Sequence, residues 1–408
     1  MNRFVEPPDY RPGGFCGIIL FMQKFDLICP CHFGLEAVLK KEIQELGYEI
    51  ARTEDGRVIF HGDSDAVVMA NIHLRTAERV LIDCAEFEAR TFDELFEGIK
   101  AVEWESYIPK NGRFWVKKAS SVNSKLFSPR GIQSIVKKAI VDHLSGVYGI
   151  SRFEEDGGEY PLRIFIHKDK VTVGLDTTGD SLHKRGYRTD AGEAPIAENL
   201  AAALIKLTPW KADRHLVDPF CGSGTFAIEA AMIAKNIAPG MGRGYTSERW
   251  TNIINKKLWY DAVAEAQSEI LSDLSCDIQG YDLDPEVIAL ARDNARRAGV
   301  EDTIHFQQRP VAELSHHGKY GFIITNPPYG ERIETLETLP GIYSDLGKAM
   351  RRLETWSLYM ITSYADAERY VGRKSAKNRK LYNGMIQARF LSFPGPKPPL
   401  RQRSTGEE

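Results

Sequence analysis

The segment Leu216–Thr225, LVDPFCGSGT, constrains the fold more than any other part of the chain. An apolar run ends at Asp218, a turn with Gly222 and Gly224 follows, and the largely apolar stretch FAIEAAMIA opens at once. A strand feeding a glycine turn presents a helix N-terminus to a ligand and lets the backbone approach it closely. From Pro195 onward the same alternation continues. It predicts helix Ile196–Leu207, strand His215–Asp218, helix Thr225–Ala234 and strand Asp277–Asp282, then helix Pro285–Ala298 and strands Thr303–Gln307 and Phe322–Thr325. Such a pattern predicts an α/β fold with a doubly wound, mostly parallel sheet. Its ligand belongs beyond the carboxyl ends of the strands, at the topological switch point. Residues 235–276 read as a long, helical insertion between the first two strands.

Two further motifs lie at strand ends. In Gly280–Pro285, GYDLDP, Asp282 is placed to accept the hydroxyls of a ribose, while Asp284 followed by Pro285 also reads as a helix cap. In Ile324–Tyr329, ITNPPY, the two prolines fix backbone carbonyls without competing N–H groups. The Asn326 side-chain oxygen and the Pro327 carbonyl can then hold an exocyclic amine and stabilise the charge developing on it, with Pro328 and Tyr329 completing the site. Tyr329 suits stacking on an extruded base. Gly222, Gly224 and Ala227 also satisfy a loose dinucleotide pattern, but the next strand-end acid, Asp282, lies 55 residues beyond Ala227 instead of about 20. With no phosphate-loop lysine either, the segment does not read as a nicotinamide or nucleoside-triphosphate site.

The first half has a different texture. Strands over 25–31, 57–61, 79–86, 113–117, 162–167 and 170–176 alternate with helices over 35–46, 65–73, 92–102 and 132–144, with Gly47 as a helix stop. This predicts α+β units: 23–66, then 67–178, with a polar linker over 179–194 ahead of a 195–395 domain and a flexible 396–408 tail. Residues 1–22 read as an unstructured extension, with Met22 a more natural start than Met1. The six cysteines lack paired spacing, so they read as reduced thiols of a cytoplasmic protein; Cys29, Cys31 and His32 read as structural, and no metal site is expected. No run approaches the length of a membrane span.

Together the three motifs resemble the class I S-adenosylmethionine-dependent methyltransferases that act on exocyclic amines, from about Pro195 to Phe393. LHKRGYR (182–188), APIAENLAAAL (194–204) and RKLYNGMIQARFLSF (379–393) narrow the resemblance to the bacterial THUMP-domain guanosine-N2 methyltransferases of 23S rRNA. SKLFSPRGIQSIVKKAI (124–140) resembles the RNA-binding part of that family. The resemblance implies a Rossmann-like domain preceded by ferredoxin-like and THUMP modules, with S-adenosyl-L-methionine as cofactor and 23S rRNA or a large-subunit precursor as partner. It places Asp218, Pro219, Cys221, Gly222, Gly224 and Thr225 around the cofactor's methionine part, Asp282 and Asp284 by its ribose, and Asn326 to Tyr329 on the target base. In one place the chain departs from the family: Pro310 stands where an acid meets the adenine amine, leaving Gln308, Arg309 or backbone groups to do so.

The overall charge is slightly acidic, 53 basic against 56 acidic side chains, so RNA must meet local patches. Arg369–Lys380 holds six basic residues and no acid, with Tyr382 after it; Arg373, Lys374, Lys377, Arg379 and Lys380 are its candidate contacts. The linker adds His183, Lys184, Arg185 and Arg188 around Tyr187, and Lys137 and Lys138 extend the patch. Cations interleaved with aromatics suit phosphate neutralisation and base stacking. Other readings are a tRNA guanine-N2 methyltransferase, an adenine-N6 DNA methyltransferase, and a non-catalytic RNA-binding assembly factor.

Overall fold

Two seven-stranded sheets organise the chain, and the computed structural model describes residues 24–188, 196–329, 337–384 and 386–399. The expected extension over 1–22 and most of the tail lie outside those residues. The first sheet contains β1 (Phe25–Pro30), β2 (Ile50–Glu54), β3 (Arg57–Gly62), β4 (Leu81–Glu88), β5 (Arg113–Val122), β6 (Glu159–His167) and β7 (Lys170–Asp176). Its order is β2-β3-β1-β4-β7-β6-β5, antiparallel except for the β5–β6 pair. Helices α1 (Glu36–Glu45), α2 (Ser64–His73), α3 (Phe92–Lys100) and α4 (Pro129–Tyr148) interleave with these strands. Local chemistry sets several boundaries. Thr91 and Glu94 form a capping box on α3; Ser128 caps α4, which has Pro129 at its first turn and stops at Gly149 with φ +62°. The β6–β7 hairpin turns through Lys168 and Asp169, both with positive φ (52° and 64°), the geometry that matches strand twist.

The expected division at 66/67 is corrected by this sheet. That point falls inside α2, and β4 pairs with β1 on one side and β7 on the other, so one continuous sheet spans both units. Strand β2 escaped the sequence reading because ARTE within it is polar and only half-buried.

The second sheet holds β8 (Leu216–Asp218), β9 (Ile278–Asp282), β10 (Ile304–Gln308), β11 (Phe322–Thr325), β12 (Ser357–Thr362), β13 (Lys377–Asn383) and β14 (Ile386–Phe393). Its order is β10-β9-β8-β11-β12-β14-β13, parallel from β10 to β12 and antiparallel at β14 and β13. Helices α5 (Glu198–Leu207), α6 (Thr225–Ala234), α7 (Lys256–Ser268), α8 (Pro285–Arg297), α9 (Leu339–Arg352) and α10 (Ala367–Val371) accompany it. α6 is buried along nearly its whole length, which explains a sequence that is apolar apart from Thr225 and the buried Glu229.

The insertion over 235–276 contains one regular helix, α7, and a 3-10 turn at Thr246–Arg249, less helix than expected. Its role is to join the two halves. Tyr245, Trp250 and Trp259 sit in the core of the first sheet; Trp250 stacks on Tyr160 at 5.0 Å and donates to the Glu159 carbonyl at 2.7 Å. The expected linker is also no free tether: Leu182, Arg185 and Tyr187 are buried, and residues 189–195 lie outside the described part.

Candidate active site

β8 and β11 are parallel neighbours whose chains leave toward opposite sides of the sheet, β8 toward β9 and β11 toward β12. Their carboxyl ends form the switch point and carry Asp218 and Thr325. Asp218 is buried; its Oδ1 accepts from the Thr325 hydroxyl at 2.5 Å and from the Phe220 N–H at 3.1 Å. Burial pushes its carboxyl up to about 7, although both hydrogen bonds oppose the rise.

The glycine turn follows directly. Gly222 and Gly224 have φ of +51° and +87°, conformations that resist a side chain. At Gly224 a Cβ would press on Phe306 at 3.0 Å and Ala291 at 3.2 Å, so this glycine serves packing. At Gly222 a Cβ would meet nothing within 4 Å: this glycine faces the cleft. The Gly222 N–H donates to Asp282 Oδ2 at 3.0 Å, and the Asp284 N–H to Asp282 Oδ1 at 3.1 Å. The Asp282 carboxylate is thereby oriented at the end of β9, beside the turn. Pro219 and Thr225 are buried at the ends of the turn. The buried Cys221 thiol is pushed well above its ordinary range by desolvation and by Asp218, so it stays neutral and packs.

Asp284 is corrected from cofactor ligand to helix cap: its Oδ1 accepts from the Glu286 and Val287 N–H groups at the start of α8. Between the two acids, Leu283 leaves 65% of its surface exposed, an apolar face at the strand end that the sequence reading passed over. Gln308 Nε2 donates to the Leu283 carbonyl at 2.9 Å, and Arg309 Nη2 to the Glu313 carbonyl and Ser315 hydroxyl. An adenine amine needs an acceptor, and of these two side chains only Gln308, through Oε1, can offer one. Pro310 only starts the 3-10 turn Val311–Glu313.

Beyond β11, Asn326 to Tyr329 form a loop pinned from several sides. Tyr343 on α9 donates its hydroxyl to the Pro328 carbonyl at 3.2 Å and shares a 2.5 Å bond with Thr362. Asn383 Nδ2 donates to the Tyr329 hydroxyl at 3.0 Å. Pro327 is buried and Pro328 exposed. Asn326 Oδ1, by contrast, is buried with no hydrogen-bond partner, as is the Ser223 hydroxyl in the glycine turn. Buried polar atoms without partners are costly, and these two follow the carboxyl ends of the neighbouring strands β8 and β11, where a ligand's polar groups belong. The donor set suits S-adenosylmethionine: carboxylates at Asp218 and Asp282, an open backbone at Gly222, and an acceptor at Asn326 for the receiving amine. Tyr343, Asn383 and Thr325 gave no local signal in the sequence, because their partners are distant along the chain.

At the opposite, amino end of the strands, His215, Asp277 and His316 bring three potential ligand atoms within 4.8 Å of one another. Asp277 Oδ2 meets His215 Nδ1 at 2.7 Å and His316 Nε2 at 3.0 Å, while the Gly318 N–H donates to His316 Nδ1 at 2.8 Å. His316 Nδ1 accepts from the Gly318 backbone, and both Asp277 Oδ2 and Gln279 Nε2 crowd Nε2, at 3.0 and 3.1 Å. The cluster reads as a hydrogen-bonded clamp under the sheet.

The basic candidates separate into two groups. Arg185 is corrected: its side chain is 1% exposed, pairs with Glu229, and donates to the carbonyls of Arg75 and Leu182. Arg188 is corrected likewise, held by Glu198 at 3.0 Å and the Ile196 carbonyl. Lys137 lies on the Phe114 ring and donates to the Phe114 carbonyl. Lys184 is exposed beside Asp180. Arg373, Lys374, Lys377, Arg379 and Lys380 are exposed, with Arg373 and Arg379 also donating to the carbonyls of Pro394 and Gly34. Among the described residues no helix is long and apolar enough to cross a membrane.

Comparison with known proteins agrees with this architecture. Residues 185–391 match the family model for the RMKL-like methyltransferase domain, 26–81 the RlmL ferredoxin-like domain and 89–176 the THUMP domain. A putative RNA methyltransferase of Bacillus subtilis, YpsC, is 45% identical over 94% of this chain and 99% of its own. A ribosomal RNA large subunit methyltransferase K/L of Methylococcus capsulatus is 32% identical over 88% of this chain, which spans about half (50%) of that relative. Among solved structures, a possible methylase from Clostridium difficile has a TM-score of 0.90 at 51% identity, covering 92% of this chain and 100% of that one. SMU.472, a putative methyltransferase complexed with SAH, has a TM-score of 0.87 at 42% identity, covering 92% and 99%. A Listeria monocytogenes protein described as a predicted N6-adenine-specific DNA methylase also scores 0.87, at 44% identity over 92% and 97%. With ferredoxin-like and THUMP modules ahead of a glycine-turn cleft, this chain belongs to the RMKL-like family of class I S-adenosylmethionine-dependent methyltransferases.

Proposed function

We propose that the protein transfers a methyl group from S-adenosylmethionine to the exocyclic N2 amine of a guanosine in 23S rRNA. The observation that carries this is the buried, unpartnered Asn326 Oδ1 at the switch point, in a loop whose Pro328 carbonyl and Tyr329 hydroxyl are already held. A THUMP module and relatives described as RNA and ribosomal RNA methyltransferases support RNA as the substrate class.

The cofactor supplies an activated methyl group, so the protein needs no nucleophile and its work is alignment and charge stabilisation. Asp218 and the Gly222–Gly224 turn receive the methionine part, Asp282 the ribose hydroxyls, and the Leu283 face suits the adenine ring. Asn326 Oδ1 and the Pro327 carbonyl accept the two amine hydrogens, orient the nitrogen lone pair and stabilise the cation formed as the methyl transfers. Tyr329 stacks on the extruded base. Asn326→Ala then abolishes turnover with cofactor affinity nearly unchanged.

A second reading is adenine-N6 methylation of DNA, because Asn-Pro-Pro-Tyr accepts either exocyclic amine and one structural relative carries that description. Labelled S-adenosylmethionine offered with unmodified 23S rRNA, tRNA and DNA, followed by nucleoside mass spectrometry, tests both. N2-methylguanosine from 23S rRNA is expected; the same product from tRNA alone moves the substrate, and N6-methyladenine from DNA overturns the RNA reading.

A further inference from the structure

The basic strand β13 borders a cavity of about 550 Å³ that lies apart from the switch-point cleft. Strand register builds it. Tyr359 on β12, Ser392 on β14 and Lys377 on β13 stand opposite one another, and Phe390 stands opposite Arg379 two residues along. All five side chains therefore share one face of the sheet, and Pro209, just past α5, closes the cavity from the other side. The Tyr359 ring stacks between Phe322 and Phe390, at 6.2 and 6.1 Å, which makes the sheet wall aromatic. Tyr359 and Ser392 are each only 8% exposed, yet neither hydroxyl has a hydrogen-bond partner among the described residues. The other buried tyrosines behave differently. The hydroxyls of Tyr160, Tyr187, Tyr245, Tyr281 and Tyr343 all bond to protein groups. Two uncommitted hydroxyls on an aromatic wall suit a ligand with a flat apolar body and a polar edge.

We propose that this cavity holds one unpaired RNA base, with its flanking phosphates on Lys377 and Arg379. The inference rests on reading the substrate as RNA. Charge selects the occupant: Lys374, Lys377, Arg379 and Lys380 are exposed along this edge, and a polyanion that carries planar rings satisfies the cations, the aromatic wall and the hydroxyls together. Position adds to the argument. Asn383, at the far end of β13, bonds the Tyr329 hydroxyl, so strand rise sets the cavity about 20 Å from the target-base loop. A single strand lying along β13 reaches both, and the base in the cavity is a neighbour of the target in that strand, not the methylated base itself.

Fluorescence anisotropy on the full-length protein tests this, with a labelled single-stranded RNA and an abasic ribose-phosphate chain of the same length. Wild type is expected to bind the RNA at least about ten-fold more tightly, because stacked bases add to the charge attraction. Tyr359→Phe keeps the ring and removes one hydroxyl, so RNA affinity falls about three- to ten-fold. Its affinity for the abasic chain and its urea unfolding midpoint stay unchanged. Ser392→Ala behaves in the same way, whereas Lys377→Gln weakens both probes and lowers the salt slope. If Tyr359→Phe lowers stability, or weakens RNA and the abasic chain alike, the hydroxyl serves the fold and the proposal fails. Unchanged RNA affinity in both hydroxyl variants gives the cavity to a protein partner or to another part of this chain, and also overturns it. Tighter binding of the matching DNA strand reassigns the cavity to a DNA base and overturns the RNA occupant. Failure of wild type to bind RNA at all overturns the RNA reading itself, whereas wild-type binding with unaffected variants overturns the cavity alone.

Discussion

Two basic segments with the same sequence texture meet opposite fates. HKRGYR, at 183–188, and RYVGRKSAKNRK, at 369–380, both interleave cations with aromatics, and both read as nucleic-acid contacts. In the first, Arg185, Tyr187 and most of Arg188 are buried at the junction of the two halves, and Glu229 alone takes hydrogen bonds from Arg185 and Tyr187. In the second, five cations stand on and beside an outer strand, β13, in solvent. The difference lies in what stands opposite. Buried acids, Glu229 and Glu198, await the first segment, and among the described residues no buried acid is paired with the second. A cation run thus marks an interface of some kind, and only the location of compensating charge tells an internal one from an external one.

The largest effect is expected inside the junction. Arg185→Ala leaves Glu229 buried without its cation and removes the donors to the Arg75 and Leu182 carbonyls. Breaking a buried pair from one side costs about 3–5 kcal/mol. Urea unfolding is expected to show that loss, and a change under 1 kcal/mol would mean that the guanidinium is not internal. Next in size, Lys374, Lys377 and Lys380 changed together to Gln are expected to weaken RNA binding by about ten-fold or more. They flatten the slope of log K against log salt by roughly 2 units, at about 0.7 per lost phosphate contact to a single strand. Stability stays within about 0.5 kcal/mol, as for other surface changes. Lysines on an outer strand also guard against edge-to-edge pairing; an unchanged salt slope would assign them that role alone.

The comparison also shows what a single sequence can disclose. Strands β7 and β11 and helix α6 match their expected bounds, because an apolar run between turn signals leaves few alternatives. The Gly222 turn and Asp282 are joined by a hydrogen bond, and Thr325, next to Asn326, bonds Asp218, so these residues gather at the carboxyl ends of neighbouring strands. What stayed hidden depends on contacts between distant residues. Asp284 and Asp282 sit two apart in one motif, yet one caps α8 and the other faces the turn, a difference set by backbone direction at the end of β9. Trp250 looked like part of an insertion but belongs to the core of the other half. The sheet shared across the expected 66/67 boundary turns on two rungs between β1 and β4, which local periodicity does not encode.

Asp218 gives a third case: a buried acid that no cation faces among the described residues. Its carboxyl is raised from the ordinary range to about 7. The native state therefore holds a proton that the unfolded state has released, and the stability conferred by the protonated form is lost as pH rises through about 7. Between pH 6 and pH 8 the loss is about 1.4 kcal/mol, one unit's worth of linkage. Asp218→Asn removes that dependence, so its stability relative to wild type is expected to rise by this amount over the interval, read from unfolding curves at both values. A constant difference would mean that Asp218 is already ionised in the free protein. Should the cofactor's charged methionine end lie against it, binding at pH 6.5 also releases protons, which calorimetry in buffers of different ionisation enthalpy detects.

The smallest effect sharpens the comparison at its boundary. Lys184 belongs to the buried segment by sequence but stands in solvent, 3.6 Å from Asp180, with both side chains more than half exposed. An exposed pair of this kind contributes no more than about 1 kcal/mol, so Lys184→Ala is expected to change stability little, one residue away from the most damaging change of all. If it also lowers RNA affinity and the salt slope by the amount of one phosphate contact, the external interface reaches across to the linker and the two segments share one RNA track. If RNA binding is unaffected, the boundary between internal and external charge runs between Lys184 and β13, and the linker serves only to lock the two halves together.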